Sequence, residues 1–215
     1  MPKKILFQGD SITDCGRSRE NDAELGTGYP LLVKGELGYT HPGEYEFINR
    51  GIGGNRIVDV YARIKMDIIN LKPDYMSLLI GVNDVWHELG GVHNGVDAAK
   101  FEKIYGMLIE EVKEALPEIK IMILEPFVLE GFATKGTEQE PERFEVFEKE
   151  VALRAAAAKR IAEKYGLVFV PLQERFNELC KVQDASYWLG DGVHPTTMGH
   201  WMLKEEWMKA FEIIR

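Results

Sequence analysis

One serine and one aspartate–histidine pair carry the residue types needed for nucleophilic acyl transfer. Ser11 follows Gly9 and Asp10, directly after a short apolar run near the N-terminus, and Asp191 precedes His194 by three residues near the C-terminus. A serine hydroxyl becomes an effective nucleophile when a base accepts its proton and an acid orients that base. We therefore predict a catalytic triad of these three residues, although each motif taken alone also fits an ordinary turn.

Two other segments offer hydrogen-bond donors for the oxyanion that such an attack creates. The glycine-rich run GIGGN allows close backbone approach, so the amide of Gly54 is one candidate donor. The run GVND offers the side-chain amide of Asn83 as a second donor. Loss of one such donor typically costs about 2.7 to 4 kcal/mol of barrier stabilisation. Both segments follow predicted strands, so they can reach the same edge of a sheet.

Five short apolar runs have the length of buried parallel strands, and they cover residues 5–7, 45–48, 75–80, 121–124 and 167–170. Between them, apolar residues recur at helical spacing, for example over 57–68 and 144–162. Gly166 follows the second of these segments, where helices commonly end. The alternation predicts the α/β class, with a five-stranded parallel sheet in a three-layer α/β/α sandwich. One domain over residues 1–215 is expected.

The expected strand order explains how distant residues could meet. In the flavodoxin-like order 2-1-3-4-5, strands two and three flank strand one, which places Gly54 and Asn83 beside Ser11. Long irregular loops are predicted over 12–28, 81–96 and 126–140, at the carboxyl edge where such sheets bind ligands. These loops hold side chains that could line a substrate cleft, namely Trp86, His87, Phe127 and Phe132.

Composition and charge narrow the function classes. The chain has 215 residues, 45% of them hydrophobic, which is an ordinary globular balance. Its formal charge of -9 disfavours nucleic acid and anionic membranes as partners. The N-terminus lacks the apolar run of a signal peptide, so we expect a cytoplasmic protein. Two distant cysteines, Cys15 and Cys180, are expected to be plain thiols.

Other polar residues near these motifs favour structural interpretations. His87 and His93 match no zinc-binding spacing, and the glycine run matches no phosphate-binding pattern, so neither a metal nor a cofactor is expected. Asp10 and Asp14 flank the serine, and we interpret both as hydrogen-bonding residues that fix the loop. Nucleophile, base and donors are thus all expected to come from the chain itself.

The four motifs occur in the order found in the SGNH hydrolases, a branch of the GDSL esterases and lipases, and the sequence resembles that family. The serine block is GDSIT, the glycine block GIGGN, the asparagine block GVND and the last block DGVHP. The resemblance covers the chain from the first predicted strand to the final helix. It implies Ser11, Asp191 and His194 as the triad. It also implies an oxyanion hole formed by the amides of Ser11 and Gly54 and the side chain of Asn83.

A narrower resemblance links the chain to bacterial acetylxylan esterases of the SGNH group, through GDSITDCGR, LGTGY, GVNDVW and VHPTTMGH. That resemblance implies a serine esterase acting on short acyl esters, especially acetylated xylo-oligosaccharides or other acetylated sugars. That group has an aromatic residue directly before the triad aspartate, where this chain has Gly190. Trp86 and Trp188 are the candidate residues for binding the sugar or lining the acyl pocket.

Two other functions stay open at this stage. A lysophospholipase or thioesterase would share the triad but would require a long apolar acyl channel. A catalytically idle carbohydrate-binding protein would keep the fold, but it has no use for a base, an orienting acid and oxyanion donors together. The last helix is apolar on more than one stripe, which fits either deep packing against the sheet or the interface of a homo-oligomer.

Overall fold

The computed structural model describes residues 1–91 and 93–215. Its sheet contains five parallel strands in the order β2-β1-β3-β4-β5. The predicted fold class, strand count and strand order are therefore confirmed. The strands are β1 (Lys3–Gly9), β2 (Tyr45–Asn49), β3 (Tyr75–Leu79), β4 (Lys120–Leu124) and β5 (Val168–Val170).

Helices cover both faces of this sheet. They are α1 (Ser11–Asp14), α2 (Tyr29–Thr40), α3 (Ile57–Ala62), α4 (Ile64–Asp67), α5 (Val82–Leu89), α6 (Ala98–Ala115), α7 (Arg143–Tyr165), α8 (Gln173–Cys180), α9 (Ala185–Trp188) and α10 (Thr197–Ile214), with a 3-10 turn over Ile69–Leu71. The long α7 and the position of Gly166 directly after it agree with the predicted helix over 144–162.

Two hydrophobic cores lie on opposite faces because side chains alternate along each strand. In β1, Ile5 and Phe7 point to a core shared with α2, α8 and α10, where Trp207 is fully buried. Leu6 points to the other core, which is shared with α3 and α6 and includes Phe101. This arrangement fixes the central strand from both sides, and β1 leads directly into the predicted nucleophile.

The structure corrects two details of the predicted layout. The segment 81–96, expected to be an irregular loop, begins with α5, because Val82, Val85, Trp86 and Leu89 have helical spacing and form an apolar face. The helix expected over 57–68 is interrupted at Arg63, and α4 follows as a separate turn. The Arg63 guanidinium donates to Gln8 Oε1 and to Asp67, which ties this break to the end of β1.

The loops at the carboxyl edge of the sheet are held by specific hydrogen bonds. Asn49, the last residue of β2, donates from Nδ2 to the carbonyls of Thr13 and Leu25, at 2.7 and 2.9 Å. These two bonds tie the segment after β1 to the end of β2.

None of the helices in the described part of the chain is both long enough and apolar enough to cross a membrane.

Candidate functional site

Ser11 lies at the first position of α1, at the carboxyl end of the central strand. The preceding Asp10 caps this helix, because its Oδ1 accepts a hydrogen bond from the amide of Ile12 at 3.0 Å. A side chain at Gly9 would approach the Leu79 carbonyl of β3 to 2.4 Å, so this turn requires glycine. The short helix therefore presents the Ser11 hydroxyl at the open edge of the sheet.

The three residues of the predicted triad form one hydrogen-bonded chain. Ser11 Oγ lies 2.9 Å from His194 Nε2, and His194 Nδ1 lies 2.7 Å from Asp191 Oδ2. With the proton on Nδ1 donated to the carboxylate, Nε2 is free to accept the serine proton. This is the arrangement that a serine nucleophile and its general base require.

Asp191 is held as a carboxylate by its own loop. Burial by itself would raise the pKa of Asp191, but hydrogen bonds from the amide and ring of His194 and from the amide of Val193 outweigh it, and the pKa lies below its usual value. The two amides donate to Oδ1 at 2.7 and 2.8 Å, which leaves Oδ2 for the imidazole. The aspartate thus stays charged and oriented toward the imidazole at neutral pH.

The loop that follows β4 supports the triad loop from outside. The Leu129 amide donates to the Gly192 carbonyl at 2.8 Å, and the Ala133 amide donates to the Asp191 carbonyl at 3.1 Å. Gly192 has a φ of 101°, and a Cβ there would lie 2.5 Å from Thr134 Oγ1. Only glycine fits both this backbone conformation and this close approach.

The two predicted oxyanion segments lie beside the nucleophile. A Cβ placed on Gly53 would lie 3.8 Å from the Cβ of Ser11, and Gly54 adopts a left-handed φ of 80° that favours glycine. Asn83, in the first turn of α5, donates from Nδ2 to the carbonyl of Asn55 at 3.2 Å. The glycine block and the asparagine block are therefore joined directly.

The free amides at this point have the properties of oxyanion donors. Among residues 1–91 and 93–215, no protein acceptor takes the amide of Ser11 or that of Gly54. Asn83 Nδ2 carries a second hydrogen beyond the one given to Asn55. Three such donors, if all are directed at one point beside a serine hydroxyl, would stabilise the charge of a tetrahedral intermediate. Their assignment to the oxyanion hole stays a prediction.

The two acids that flank the serine make structural contacts, as expected from the sequence. Burial raises the pKa of Asp10 to about 7, and its main partner is the amide of Ile12. Asp14 forms an ion pair with Arg19 and accepts a hydrogen bond from the amide of Gly53 at 3.0 Å. Neither carboxylate is within the hydrogen-bonded chain of Ser11, so both have roles other than that of the general base.

The candidate substrate-binding tryptophans lie in different surroundings. Trp86 is half-buried in α5, one turn after Asn83. Its ring and that of Phe147 form a T-shaped pair with their centroids 5.6 Å apart. Trp188 donates from Nε1 to the Gln183 carbonyl, and it lines a groove beside Trp201 of α10. The structure brings neither ring into the hydrogen-bonded triad. Their roles in substrate binding stay predictions.

The triad's hydrogen bonds include neither histidine of the 81–96 segment. His93 is 79% exposed at its side chain and lies near Glu88. His87 belongs to the last turn of α5.

Sequence reasoning missed two residues that hold the site, Asn49 and Thr134. The signal for Asn49 was its position directly after a predicted strand and two residues before the glycine block, whereas Thr134 carried no signal beyond being polar.

Comparisons with known proteins show the family to which the chain belongs. The model of the GDSL-like lipase/acylhydrolase family matches residues 7–202. An acetylxylan esterase from Geobacillus stearothermophilus is 35% identical over 221 residues, which covers 99% of this chain and 96% of that protein.

Solved structures have the same fold over nearly the whole chain. The crystal structure of Axe2, an acetylxylan esterase from Geobacillus stearothermophilus, superposes with a TM-score of 0.83 at 34% identity, covering 97% of this chain and 93% of that one. LAE5, an α/β hydrolase enzyme from the metagenome of Lake Arreo in Spain, superposes with a TM-score of 0.86 at 26% identity, covering 99% and 96%. The chain therefore belongs to the GDSL-like lipase/acylhydrolase family, as its four motifs predicted.

Proposed function

We propose that this protein is a serine esterase that removes acetyl groups from xylo-oligosaccharides. The observation that carries the proposal is the continuous hydrogen-bonded chain from Ser11 Oγ through His194 to Asp191. The similarity to an acetylxylan esterase along nearly the whole chain supports the choice of an acetylated sugar as substrate. An oligosaccharide is uncharged, so the formal charge of -9 does not oppose its approach.

The first half of the reaction transfers the acetyl group to the enzyme. His194 Nε2 accepts the proton of Ser11 while Oγ forms a bond to the acetyl carbonyl carbon, and the carbonyl oxygen becomes an oxyanion. The amides of Ser11 and Gly54 and the Asn83 side chain donate to this oxyanion. When the carbon–oxygen bond to the sugar breaks, the imidazolium returns its proton to the departing sugar oxygen.

The second half of the reaction releases acetate. A water molecule gives a proton to His194 Nε2 and attacks the acetyl-serine, which creates a second oxyanion in the same hole. The bond to Ser11 Oγ then breaks, the serine recovers its proton from the imidazolium, and acetate leaves. Asp191 stays ionised throughout and stabilises the imidazolium, so the cycle requires only the chain's own residues and water.

The proposal is tested by acetate release from acetylated xylo-oligosaccharides, measured beside hydrolysis of p-nitrophenyl acetate for the wild type and Ser11→Ala. We expect release from both substrates by the wild type and loss of both activities in the variant. Activity on p-nitrophenyl acetate alone would reject the sugar substrate. A preference for p-nitrophenyl octanoate over acetate would favour the lysophospholipase or thioesterase alternative, and full activity of Ser11→Ala would reject the mechanism.

A further inference from the structure

Asp14 connects the helix that begins with the nucleophile to the loop that carries an oxyanion donor. It is the last residue of α1, three positions after Ser11, and it is 8% exposed. Its Oδ2 accepts a hydrogen bond from the amide of Gly53 at 3.0 Å. Gly54, whose amide is unpaired among the described residues, follows directly. One carboxylate thus links both halves of the site.

The neighbouring contacts leave the glycine loop little freedom to move. A Cβ on Gly51 would lie 2.4 Å from the amide nitrogen of Asp14, so the two backbones are in direct contact. Arg17 Nε donates to the Gly51 carbonyl at 2.8 Å, and Arg17 is itself buried. These bonds fix the start of the loop. The bond from the Gly53 amide to Asp14 lies one residue before the candidate donor.

A charged carboxylate suits this position. Burial by itself would raise the pKa of Asp14, but hydrogen bonds from Arg19 and from the Gly53 amide outweigh it, and the pKa lies below its usual value. Arg19 Nη1 donates to Oδ1 at 3.2 Å, and its Nη2 donates to Oδ2. The pair orients the carboxylate, so that Oδ2 faces Gly53.

We propose that Asp14 is a positioning residue that holds the Gly54 amide in register with Ser11 for the developing oxyanion. This inference rests on the proposed esterase function. It places Asp14 outside the reacting atoms, because Asp14 acts through the Gly53–Gly54 peptide. Removing its acceptor is expected to leave substrate binding intact and to weaken stabilisation of the transition state. Such a change lowers kcat rather than raising KM.

The test compares Asp14→Ala with Asp14→Asn and with Asp97→Ala in steady-state hydrolysis of p-nitrophenyl acetate. Asp97 caps α6 by accepting from the Lys100 amide at 2.9 Å, so its removal costs a similar bond that involves neither the glycine loop nor α1. We expect Asp14→Ala to lower kcat about 10²-fold, as loss of an oxyanion donor does, with KM within threefold. Asp97→Ala should keep the wild-type kcat.

The conservative variants separate positioning from folding. Asp14→Asn keeps an oxygen acceptor for Gly53, so it should recover kcat to within about tenfold of the wild type. If Asp14→Ala does not fold, Asp14→Glu decides, because its extra methylene moves the acceptor while it keeps the charge. A tenfold or greater loss of kcat in Asp14→Glu at unchanged KM supports the proposal, and a wild-type kcat overturns it.

The outcomes also distinguish this proposal from the esterase function itself. If the wild type and Asp97→Ala both hydrolyse the ester and Asp14→Ala matches them in kcat, the positioning role is rejected while the esterase function stands. A kcat for Asp14→Asn as low as that for Asp14→Ala would also reject it. If the wild type does not hydrolyse the ester, the proposed esterase function itself is rejected.

Discussion

Ser11 Oγ and His194 Nε2 lie 2.9 Å apart, although their residues are 183 positions apart in the chain. The serine is fixed by the end of the central strand β1, and the histidine is fixed by the loop before α10. Because folding of the sheet brings these two distant segments together, the contact between Ser11 and His194 depends on the folded structure. Substitutions at either end therefore test the mechanism directly.

Asp191→Asn is expected to lower kcat by about 10³ to 10⁴-fold, with a smaller change in KM. A neutral amide cannot stabilise the imidazolium, and it no longer selects the tautomer that leaves Nε2 free. The measurement is steady-state hydrolysis of p-nitrophenyl acetate, with Asp184→Asn as a matched control before α9. A kcat within tenfold of the wild type would show that the carboxylate is dispensable.

Asn83→Ala is expected to lower kcat by about 10² to 10³-fold while KM changes little, because the variant loses one oxyanion donor. Asn83→Asp has a similar size but offers an acceptor in place of the amide donors, so it should be equally inactive. Thermal unfolding of both variants controls for the lost bond to the Asn55 carbonyl. Folded variants with wild-type kcat would exclude Asn83 from the oxyanion hole.

Thr134→Val is expected to destabilise the protein by about 1 to 3 kcal/mol, because it removes the hydroxyl that pairs with the buried Leu129 carbonyl and with the part-buried Gly131 amide. Thr134 Oγ1 donates to the Leu129 carbonyl at 2.7 Å and accepts from the Gly131 amide at 2.9 Å. Thr134→Ser keeps the hydroxyl and should lose less. Urea unfolding gives both values. Equal losses for Val and Ser would mean that the methyl group contributes as much stability as the hydrogen bonds of the hydroxyl.

His200 should make the protein less stable as the pH falls from 6.5 to 4. Burial lowers the pKa of His200 to about 4 from its usual 6.5, and its Nδ1 accepts from the Tyr29 amide at 3.2 Å. In this pH range His200 binds a proton in the unfolded chain but stays neutral in the folded chain. The free energy of unfolding therefore drops by up to about 1.4 kcal/mol per pH unit.

The check for this pH effect is urea unfolding at pH 7 and pH 5 in three proteins. His200→Gln should lose less stability on acidification than the wild type does. His93→Asn changes an exposed histidine and should lose as much as the wild type. If His200→Gln and the wild type lose the same free energy between the two pH values, another group controls the acid sensitivity.

The sequence predicted the sheet well because parallel strands covered on both faces are continuous apolar runs. The predicted strand order, which the structure confirms, placed the serine, glycine and asparagine blocks after three neighbouring strands. The 81–96 segment was predicted less well. Its glycine and adjacent polar residues resemble a loop, and they masked the helical spacing of α5. The position of Asn83 was still predicted, because a residue just after a strand stays at the sheet edge in either conformation.

The contacts that hold the site were harder to predict than the site itself. The bond from the Leu129 amide to the Gly192 carbonyl joins two backbones, so no residue type signals it. The close approach of Gly51 to Asp14 depends on the path of two loops through space. Residue types can identify a nucleophile and its base, whereas loop-to-loop contacts require the folded structure.

Labelling with a fluorophosphonate, followed by peptide mass spectrometry, identifies the nucleophilic serine. This reagent phosphonylates a serine that is activated by a neighbouring base. We expect a single adduct on Ser11 in the wild type, none in Ser11→Ala, and much slower labelling in His194→Ala. Ester hydrolysis by a protein that is labelled at another serine, or that is not labelled at all, would contradict this expectation.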